Sequence, residues 1–187
     1  MPDVYSVLLH EINSHRKDPM MIAIDGRCAA GKTTLADRLK EEFDCSVIHM
    51  DHFFLQPKQR TKQRLAEPGG NVDYERFVEE VVLPFRKGLP FSYRVFDCGR
   101  NDFVSDVLVK PDIITIVEGV YSCHPVLWDI YDFRVFMNIG PEEQIYRIRN
   151  RNGEEALKVF CERWIPLEEK YFSTYHIQER CDFCFSK

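Results

Sequence analysis

The stretch Ile24-Asp25-Gly26-Arg27-Cys28-Ala29-Ala30-Gly31-Lys32-Thr33-Thr34 has the spacing G-x-x-x-x-G-K-T of a phosphate-binding loop (P-loop). Its two glycines leave room for the backbone to wrap around phosphate groups, and the amides of the loop and of the following helix then point inward. Residues 26–34 are therefore predicted to bind nucleotide phosphates. Within this range, Lys32 can reach the outer phosphates and the Thr33 hydroxyl can ligate Mg²⁺.

The sequence on either side of the loop favours this interpretation over a chance match. Residues 20–24, Met-Met-Ile-Ala-Ile, form a short apolar run of the kind found in buried parallel strands. After the loop, Leu35, Leu39 and Phe43 recur every four residues and predict one apolar face of a helix. Strand, glycine-rich turn and helix thus follow in the order that a P-loop requires.

The composition is that of a soluble globular protein. Of the 187 residues, 44% are hydrophobic and 29% charged, so residues 1–187 are expected to form one domain with a sizeable core. A net charge of −5 gives no reason to expect a nucleic-acid partner. No apolar run approaches the roughly 20 residues of a membrane span, and the N-terminus lacks a basic-then-apolar signal segment. The seven cysteines favour reduced thiols and a cytoplasmic location over a disulfide framework.

Alternating strand and helix patterns predict an α/β fold with a parallel sheet. Strands are predicted at residues 20–24, 46–50, 113–117, 133–139 and 182–185. Helices are predicted at residues 3–17, from the P-loop to about Phe43, at 73–85, and from Pro141 to about Tyr175 with an interruption at Pro166. Between these elements lie a long polar loop, residues 52–72, and a hairpin at about residues 91–109.

Acidic residues follow two of the predicted strands, at the sheet edge where ligands of α/β proteins bind. Asp51, after the second strand, can act as a general base that takes the proton of a substrate hydroxyl, or it can cap a turn. Glu118, after the third apolar strand, can hold Mg²⁺ or its waters, or it can be a solvated carboxylate.

Arginines of the last long helix form a second set of candidates. Arg147 and Arg151 are four residues apart and share one helix face, whereas Arg149 points elsewhere. Together with Arg163, they suit a lid over about residues 147–163 whose guanidinium groups close over phosphates and offset developing charge. The alternative is an ordinary salt-bridged helix.

Two further signals have more than one interpretation. Asp73 either contacts substrate or caps the helix that begins at Tyr74. Cys181-x-x-Cys184 has the spacing of a metal or redox pair. On a strand, however, these two side chains face opposite sides, and no second pair accompanies them, so a structural role is favoured.

In the order of these motifs, the chain resembles the uridine kinase-like family of P-loop kinases, which includes phosphoribulokinases. The resemblance begins with I-D-G-x-x-x-x-G-K-T-T at residues 24–34, Asp51-x-Phe53-Phe54 after a strand, and Pro68 with Asp73 before a helix. It continues through Tyr93 and Arg100 of the hairpin, Val117-Glu118-Gly119, and the arginine segment 147–151.

The resemblance implies a P-loop NTPase fold, a five-stranded parallel sheet flanked by helices, with the hairpin over the acceptor site and a helical lid bearing arginines. It implies ATP and Mg²⁺ as cofactors, with Glu118 serving the metal site and Asp51 activating a ribose hydroxyl. Asp73 would hold ribose hydroxyls, Tyr93 would help to enclose the nucleobase, and Arg100 would lie with them on the acceptor side.

The chain departs from that family at the residue expected to read the base. Uridine kinases usually carry a histidine five residues beyond the hairpin tyrosine, and this chain has Cys98, whose thiol is a weak hydrogen-bond partner. The lid also has Asn150, Asn152 and Gly153 where further Arg or Asp is expected. The sequence therefore defines the phosphoryl-transfer residues better than it defines the acceptor.

Taken together, these patterns predict a kinase that transfers the γ-phosphoryl group of ATP to a hydroxyl, with the 5′-hydroxyl of a nucleoside as the first candidate acceptor. A sugar, a sugar phosphate or a vitamin precursor is the alternative acceptor. A nucleotide-dependent switch is the alternative of another class, although no Asn-Lys-x-Asp-like guanine-reading run occurs. The predicted partners are a nucleotide and a small-molecule acceptor, without nucleic acid or membrane, and a homo-oligomer stays open.

Overall fold

The computed structural model describes residues 4–15, 19–43, 45–110 and 114–186. Strands in these ranges form two sheets. They are β1 Met20–Gly26, β2 Ser46–His49, β3 Phe91–Asp97, β4 Asp102–Val109, β5 Ile114–Glu118, β6 Phe133–Asn138 and β7 Phe183–Ser186. Five strands pair in parallel in the order β2-β5-β1-β6-β7, and β3 and β4 form a separate antiparallel hairpin.

Helices connect the strands and flank the parallel sheet. They are α1 Val4–Ser14, α2 Lys32–Phe43, α3 Lys62–Ala66, α4 Tyr74–Phe77, α5 Leu83–Phe85, α6 Pro141–Val159, α7 Ile165–Tyr175 and α8 Ile177–Arg180. A π-helical turn, Val78–Val82, joins α4 to α5, and a second, Phe160–Trp164, joins α6 to α7. Within the described ranges, no helix is both long enough and apolar enough to cross a membrane.

Both faces of the parallel sheet are buried, which explains the continuous apolar runs of its strands. Met21 and Ala23 of β1 belong to one hydrophobic cluster, which also contains Tyr171 of α7. Ile22 of the same strand belongs to a second cluster with Leu35 of α2. Because successive side chains of a strand point to opposite faces, the two clusters lie on the two sides of the sheet.

The parallel sheet of five strands and the hairpin that the sequence predicts are confirmed. Two local features differ. The second strand ends at His49, one residue early, because Met50–Phe53 forms a 3-10 turn. The polar loop 52–72 contains a second 3-10 turn, Pro57–Gln59, and the short helix α3. The predicted elements also include residues 3, 16, 17 and 113, which lie outside the described residues.

The predicted interruption of the last long helix at Pro166 is wrong. Pro166 lies in the first turn of α7, a position where a missing backbone N–H is tolerated. The helical course is broken instead at Gly153, whose φ of 82° and ψ of 171° lie outside the helical region. Glycine adopts such angles without a Cβ penalty, so the chain changes direction between Arg151 and the π-helical turn.

The P-loop begins where β1 lies closest to β6. Gly26 has a φ of 132°, and a Cβ atom added there would clash with the backbone carbonyl of Met137 on β6. The amide of Arg27 donates to the same carbonyl oxygen at 3.1 Å. Both the backbone conformation and the neighbouring strand therefore require glycine at this position.

Replacing Gly26 by alanine should destabilise the fold, because the added Cβ must separate β1 from β6. We expect the free energy of unfolding to fall by on the order of 3 kcal/mol, measured by urea denaturation. Gly140→Ala is the matched control, since a Cβ at Gly140 meets no atom within 4 Å and the backbone there has a negative φ. Equal unfolding free energies for the two variants would contradict this packing.

Candidate active site

A cavity of about 1350 Å³ lies at the carboxyl ends of β1, β2 and β5. The P-loop, the turn after β2 and the end of β5 line one side, and α6, α7 and the π-helical turn between them line the other. Of the residues predicted from the sequence, the cavity lining includes Cys28, Ala29, Gly31, Lys32, Thr33, Thr34, Asp51, Cys98, Glu118, Arg147, Arg151 and Arg163. The structure thus brings the predicted phosphate-binding, acidic and arginine residues together.

The P-loop has the conformation of an anion-binding nest. Ala29 and Gly31 have positive φ angles of 62° and 96°, and residues of this kind turn successive amides toward one point. Lys32 is buried, and its Nζ donates to the carbonyl oxygens of Gly26 at 2.8 Å and Arg27 at 2.9 Å. The carbonyl groups of the loop therefore hold the ammonium group at the cavity wall.

A chain of hydrogen bonds fixes the Glu118 carboxylate beside the P-loop. Thr33 Oγ1 donates to Glu118 Oε2 at 3.2 Å, and His49 Nδ1 lies 2.6 Å from Glu118 Oε1. The hydrogen bond to Glu118 raises the pKa of His49 despite its partial burial, so the charged imidazolium is favoured as the donor. Each oxygen of Glu118 thus has a defined partner.

Asp51 lies in the turn that follows β2, and its side chain is open to the cavity. Desolvation by the surrounding cavity walls and the negative charge of Glu118 raise the pKa of Asp51, although its side chain is exposed to the cavity. Positive charge at Lys32, His49 and Arg151 acts in the opposite direction. The result is a carboxylate more basic than a free aspartate, placed within the field of the phosphate-binding residues.

The arginines of α6 point in two directions. Arg147 and Arg151 line the cavity, and Arg147 Nη1 donates to the carbonyl oxygen of Ala29 in the P-loop at 3.2 Å. Arg149 forms an ion pair of 2.6 Å with Glu154 and is absent from the cavity lining. This division follows from the helical period, because residues four apart share a face and residues two apart do not.

Helix α7 holds the P-loop through two adjacent glutamates. The Glu168 carboxylate accepts the backbone N–H of Cys28 at 3.0 Å, and Glu169 accepts two hydrogen bonds from the Arg27 guanidinium at 2.6 and 2.9 Å. Neither glutamate is among the residues predicted from the sequence. About 140 residues separate the partners, so no local spacing pattern could reveal these contacts.

A third contact of α7 is made with Asp25, the residue before Gly26. Tyr171 Oη donates to Asp25 Oδ2 at 2.9 Å, and the same oxygen accepts the amide of Cys123 at 2.9 Å. The other oxygen, Asp25 Oδ1, accepts the amides of Gly26 at 2.6 Å and Tyr121 at 3.2 Å. This carboxylate is fully buried and fully satisfied by donors.

Comparison with known proteins shows which proteins this chain is similar to. No family model matches the chain. The uridine kinase of Chlamydia pneumoniae is 27% identical over 171 residues, which cover 81% of this chain and 75% of that protein. The pantothenate kinase of Lactiplantibacillus plantarum is 31% identical over 130 residues, which cover 62% of this chain and 40% of that protein.

Two solved structures share the fold over nearly the whole chain. A possible uridine kinase from Bacillus stearothermophilus has a TM-score of 0.72 at 21% identity, with 97% of this chain and 96% of that chain covered. A protein provisionally named a fructose transport system kinase, from Silicibacter sp. TM1040, has a TM-score of 0.68 at 17% identity, with 97% of both chains covered.

The chain is similar in sequence to uridine kinases and shares the fold of a P-loop kinase structure, which supports its resemblance to the uridine kinase-like family. It is a phosphotransferase that acts on a hydroxyl group. The sequence resemblance on which this family was predicted is therefore confirmed, and so is the α/β P-loop fold.

Three acceptor-binding residues predicted for this kinase lie outside the cavity lining. Asp73 is only 2% exposed, and it accepts a hydrogen bond from the amide of Arg76 at 3.1 Å. It therefore caps α4, which is one of the two roles predicted for it. Tyr93 is 1% exposed, and its hydroxyl lies 3.0 Å from His52 Nδ1. Arg100 is exposed in the hairpin turn. Of the hairpin residues predicted to read a base, only Cys98 reaches the cavity.

The cysteines of this kinase do not build a metal site in the part of the chain that the structure describes. Cys184 is exposed on β7, and Cys181 lies 4.0 Å from Cys123 between the sulfur atoms, without a disulfide. These positions agree with a structural role for the Cys181-x-x-Cys184 pair. Cys28 of the P-loop is buried, and burial raises the pKa of its thiol to about 12, so it is a poor nucleophile.

Glu168 should make the stability of this kinase fall as the pH rises. Burial raises the pKa of this carboxyl to about 7, above the ordinary value of 4.5 for a glutamate, so the folded state binds more protons than the unfolded state between these values. Glu168→Gln keeps an oxygen for the Cys28 amide and removes the titration. The unfolding free energy of the variant minus that of the unmodified protein should therefore increase by on the order of 3 kcal/mol from pH 4 to pH 8.

The measurement is urea denaturation of both proteins across this pH range. Glu162→Gln is the control, because Glu162 is an exposed carboxylate of the same lid segment. A difference between the Glu168→Gln and unmodified proteins that stays constant with pH would contradict the role of Glu168.

Proposed function

We propose that this kinase transfers the γ-phosphoryl group of ATP to a hydroxyl of a small molecule, with Mg²⁺ as the metal ion. One observation supports this most strongly: the P-loop, a basic carboxylate at Asp51 and the lid arginines line a single cavity. Phosphoryl transfer requires positioning of the nucleotide, a base for the acceptor hydroxyl and positive charge around the transferred group. Each requirement has a candidate residue in this cavity.

Asp51 is the proposed general base. It faces the cavity and its pKa is raised, so it can take the proton of the acceptor hydroxyl as that oxygen attacks. Lys32 and Arg147 are the proposed electrophilic groups, since Lys32 belongs to the P-loop, Arg147 donates to it, and both line the cavity. Arg151 is the proposed second lid cation, which is supported by its position in the same cavity lining as Asp51.

The residues beside the P-loop suit Mg²⁺. Thr33 Oγ1 and the Glu118 carboxylate supply hard oxygen atoms 3.2 Å apart. Among the residues that the structure describes, no group of three or more His, Cys, Asp or Glu side chains forms an all-protein metal site. Magnesium usually binds through one or two protein oxygens, phosphate oxygens and waters, and this donor pair fits such a site. When bound, the ion would neutralise phosphate charge.

A nucleoside is the first candidate acceptor, because several relatives in the comparison are named uridine kinase. A sugar, a sugar phosphate or a vitamin precursor is the second candidate, and one observation favours it. Asp73, Tyr93 and Arg100, which were predicted to hold the ribose and the base, lie off the cavity. A panel of nucleosides and sugars, scored as acceptor-dependent ADP release, separates these candidates. ADP release that no acceptor changes would favour a nucleotide-dependent switch.

Asp51→Asn should keep nucleotide binding and lose acceptor phosphorylation. The amide preserves size and polarity but cannot accept the proton, and loss of a general base costs about 10²–10⁴ in rate. The measurement is nucleotide affinity by calorimetry beside kcat with the best acceptor of the panel. A variant with weak nucleotide binding and normal kcat would show that the base lies elsewhere.

Lys32→Ala should reduce kcat by about 10²–10³, because one electrophilic donor to the transferred phosphoryl group is removed. Lys158→Ala is the control, since Lys158 is an exposed lysine that pairs with Glu155 on the outer side of the lid. Circular dichroism should show that both variants are folded. Near-normal kcat in folded Lys32→Ala protein would refute the P-loop assignment.

A further inference from the structure

One arginine of the cavity lining has no place in the phosphoryl-transfer machinery. Arg60 follows the 3-10 turn Pro57–Gln59, and its Nε donates to the carbonyl oxygen of Leu55 at 3.0 Å. The Leu55 amide donates to the carbonyl oxygen of Asn71 at 3.1 Å. These hydrogen bonds connect two segments of the loop, and Arg60 is held to them through its Nε atom.

The turn that carries Arg60 is built by side chains outside the lining of the candidate active-site cavity. The Gln59 side chain accepts the amide of Gln56 at 2.8 Å, which closes the turn. The same side chain donates to Asp73 Oδ2 at 2.9 Å. Because Asp73 is buried at the start of α4, it connects the turn to the folded core. Asp73 therefore supports the acceptor side of the cavity indirectly, by positioning the segment that ends at Arg60.

The terminal nitrogens of Arg60, Nη1 and Nη2, lack a carboxylate partner among the residues that the structure describes. Neighbouring arginines differ in this respect. Arg64 pairs with Glu75 at 2.6 Å, and both Arg76 and Arg94 pair with Glu80. Arg60 is thus a cation that lines the cavity while its terminal nitrogens remain available.

Arg60 shares its cavity with the candidate base Asp51. Burial raises the pKa of the Cys98 thiol. The charge of Asp51 also raises this pKa, and the charge of Arg60 lowers it. Both charged groups line the cavity together with Cys98. Phe54, Leu55 and Leu65 form apolar walls beside them. An apolar wall strengthens the attraction between a cation and a bound anion because it excludes water.

We propose that the acceptor carries an anionic group, a phosphate or a carboxylate, and that Arg60 binds this group while the acceptor hydroxyl faces Asp51. The planar guanidinium fork suits both anions, because it offers parallel N–H groups to two oxygen atoms. This inference rests on the proposed kinase function and deepens it. It selects the sugar phosphate or vitamin precursor class over an uncharged nucleoside.

The experiment uses acceptor pairs that differ in the anion. The pairs are D-ribulose with D-ribulose 5-phosphate, and pantothenol with pantothenate, and uridine is the uncharged nucleoside. In one pair, the anionic member should have a kcat/KM at least about tenfold higher, since a hydrogen-bonded charged group is worth a factor of ten or more. The pair that shows this preference tells whether the anion is a phosphate or a carboxylate. An uncharged member that is used as well as its anionic partner in both pairs would overturn the proposal.

Arg60→Gln should remove this preference through the acceptor KM and leave the KM for ATP unchanged, whereas Arg60→Lys should restore part of it. Arg86→Gln is the matched control, because Arg86 is an exposed arginine outside the cavity lining. Equal effects of Arg60→Gln on charged and uncharged acceptors would contradict a direct contact. Thermal melting shows that each variant is folded.

Calorimetry separates the failure of this inference from the failure of the kinase proposal. The protein is first saturated with a non-hydrolysable ATP analogue, so that the P-loop is filled, and is then titrated with D-ribulose 5-phosphate and with pantothenate. Binding of one anion that is lost in Arg60→Gln supports the proposal even without turnover. An analogue that binds while neither anion does overturns the proposal, whereas failure of the analogue itself counts against the kinase function.

Discussion

The buried carboxylate of Asp25 is the interaction on which the candidate active site depends. It accepts hydrogen bonds from the amides of Gly26, Tyr121 and Cys123 and from the hydroxyl of Tyr171. Burial raises the pKa of this carboxyl, but each of these neighbours donates a hydrogen bond to it, so the surroundings are complementary to the ionised form. A hydrogen bond to a charged group contributes about 1.5–3 kcal/mol. One side chain thereby fixes the P-loop, the segment after β5 and α7 relative to one another.

The two ends of the cavity differ in how their charged groups are held. At the phosphate end, Lys32 and Glu118 are fixed by their direct neighbours in the loop and the sheet. At the other end, Arg60 is fixed through a relay, in which buried Asp73 orients Gln59 and Gln59 closes the turn. An acidic residue without access to the cavity can thus influence what the cavity binds.

The fold and the phosphate end of the site could be predicted from the sequence because their signals are local. A P-loop is a contiguous motif, and a buried strand such as β1 shows its environment in its own composition. The contact between Glu168 and Cys28 has no such signal, since it depends on how α7 packs against β1 after folding. The role of Asp73 was equally open, because an aspartate before a helix has the same local sequence whether it caps the helix or contacts a ligand.

The contacts of α7 also bear on the order in which the protein can acquire its site during synthesis. The P-loop is made early in the chain, but the hydrogen bonds that Glu168 and Glu169 accept and that Tyr171 donates span 140 to 146 residues. Contacts between such distant residues form late and slow the folding of a chain that depends on them. A nascent chain that has not yet reached residue 171 can contain the complete phosphate-binding sequence and still lack the helix that holds it in place.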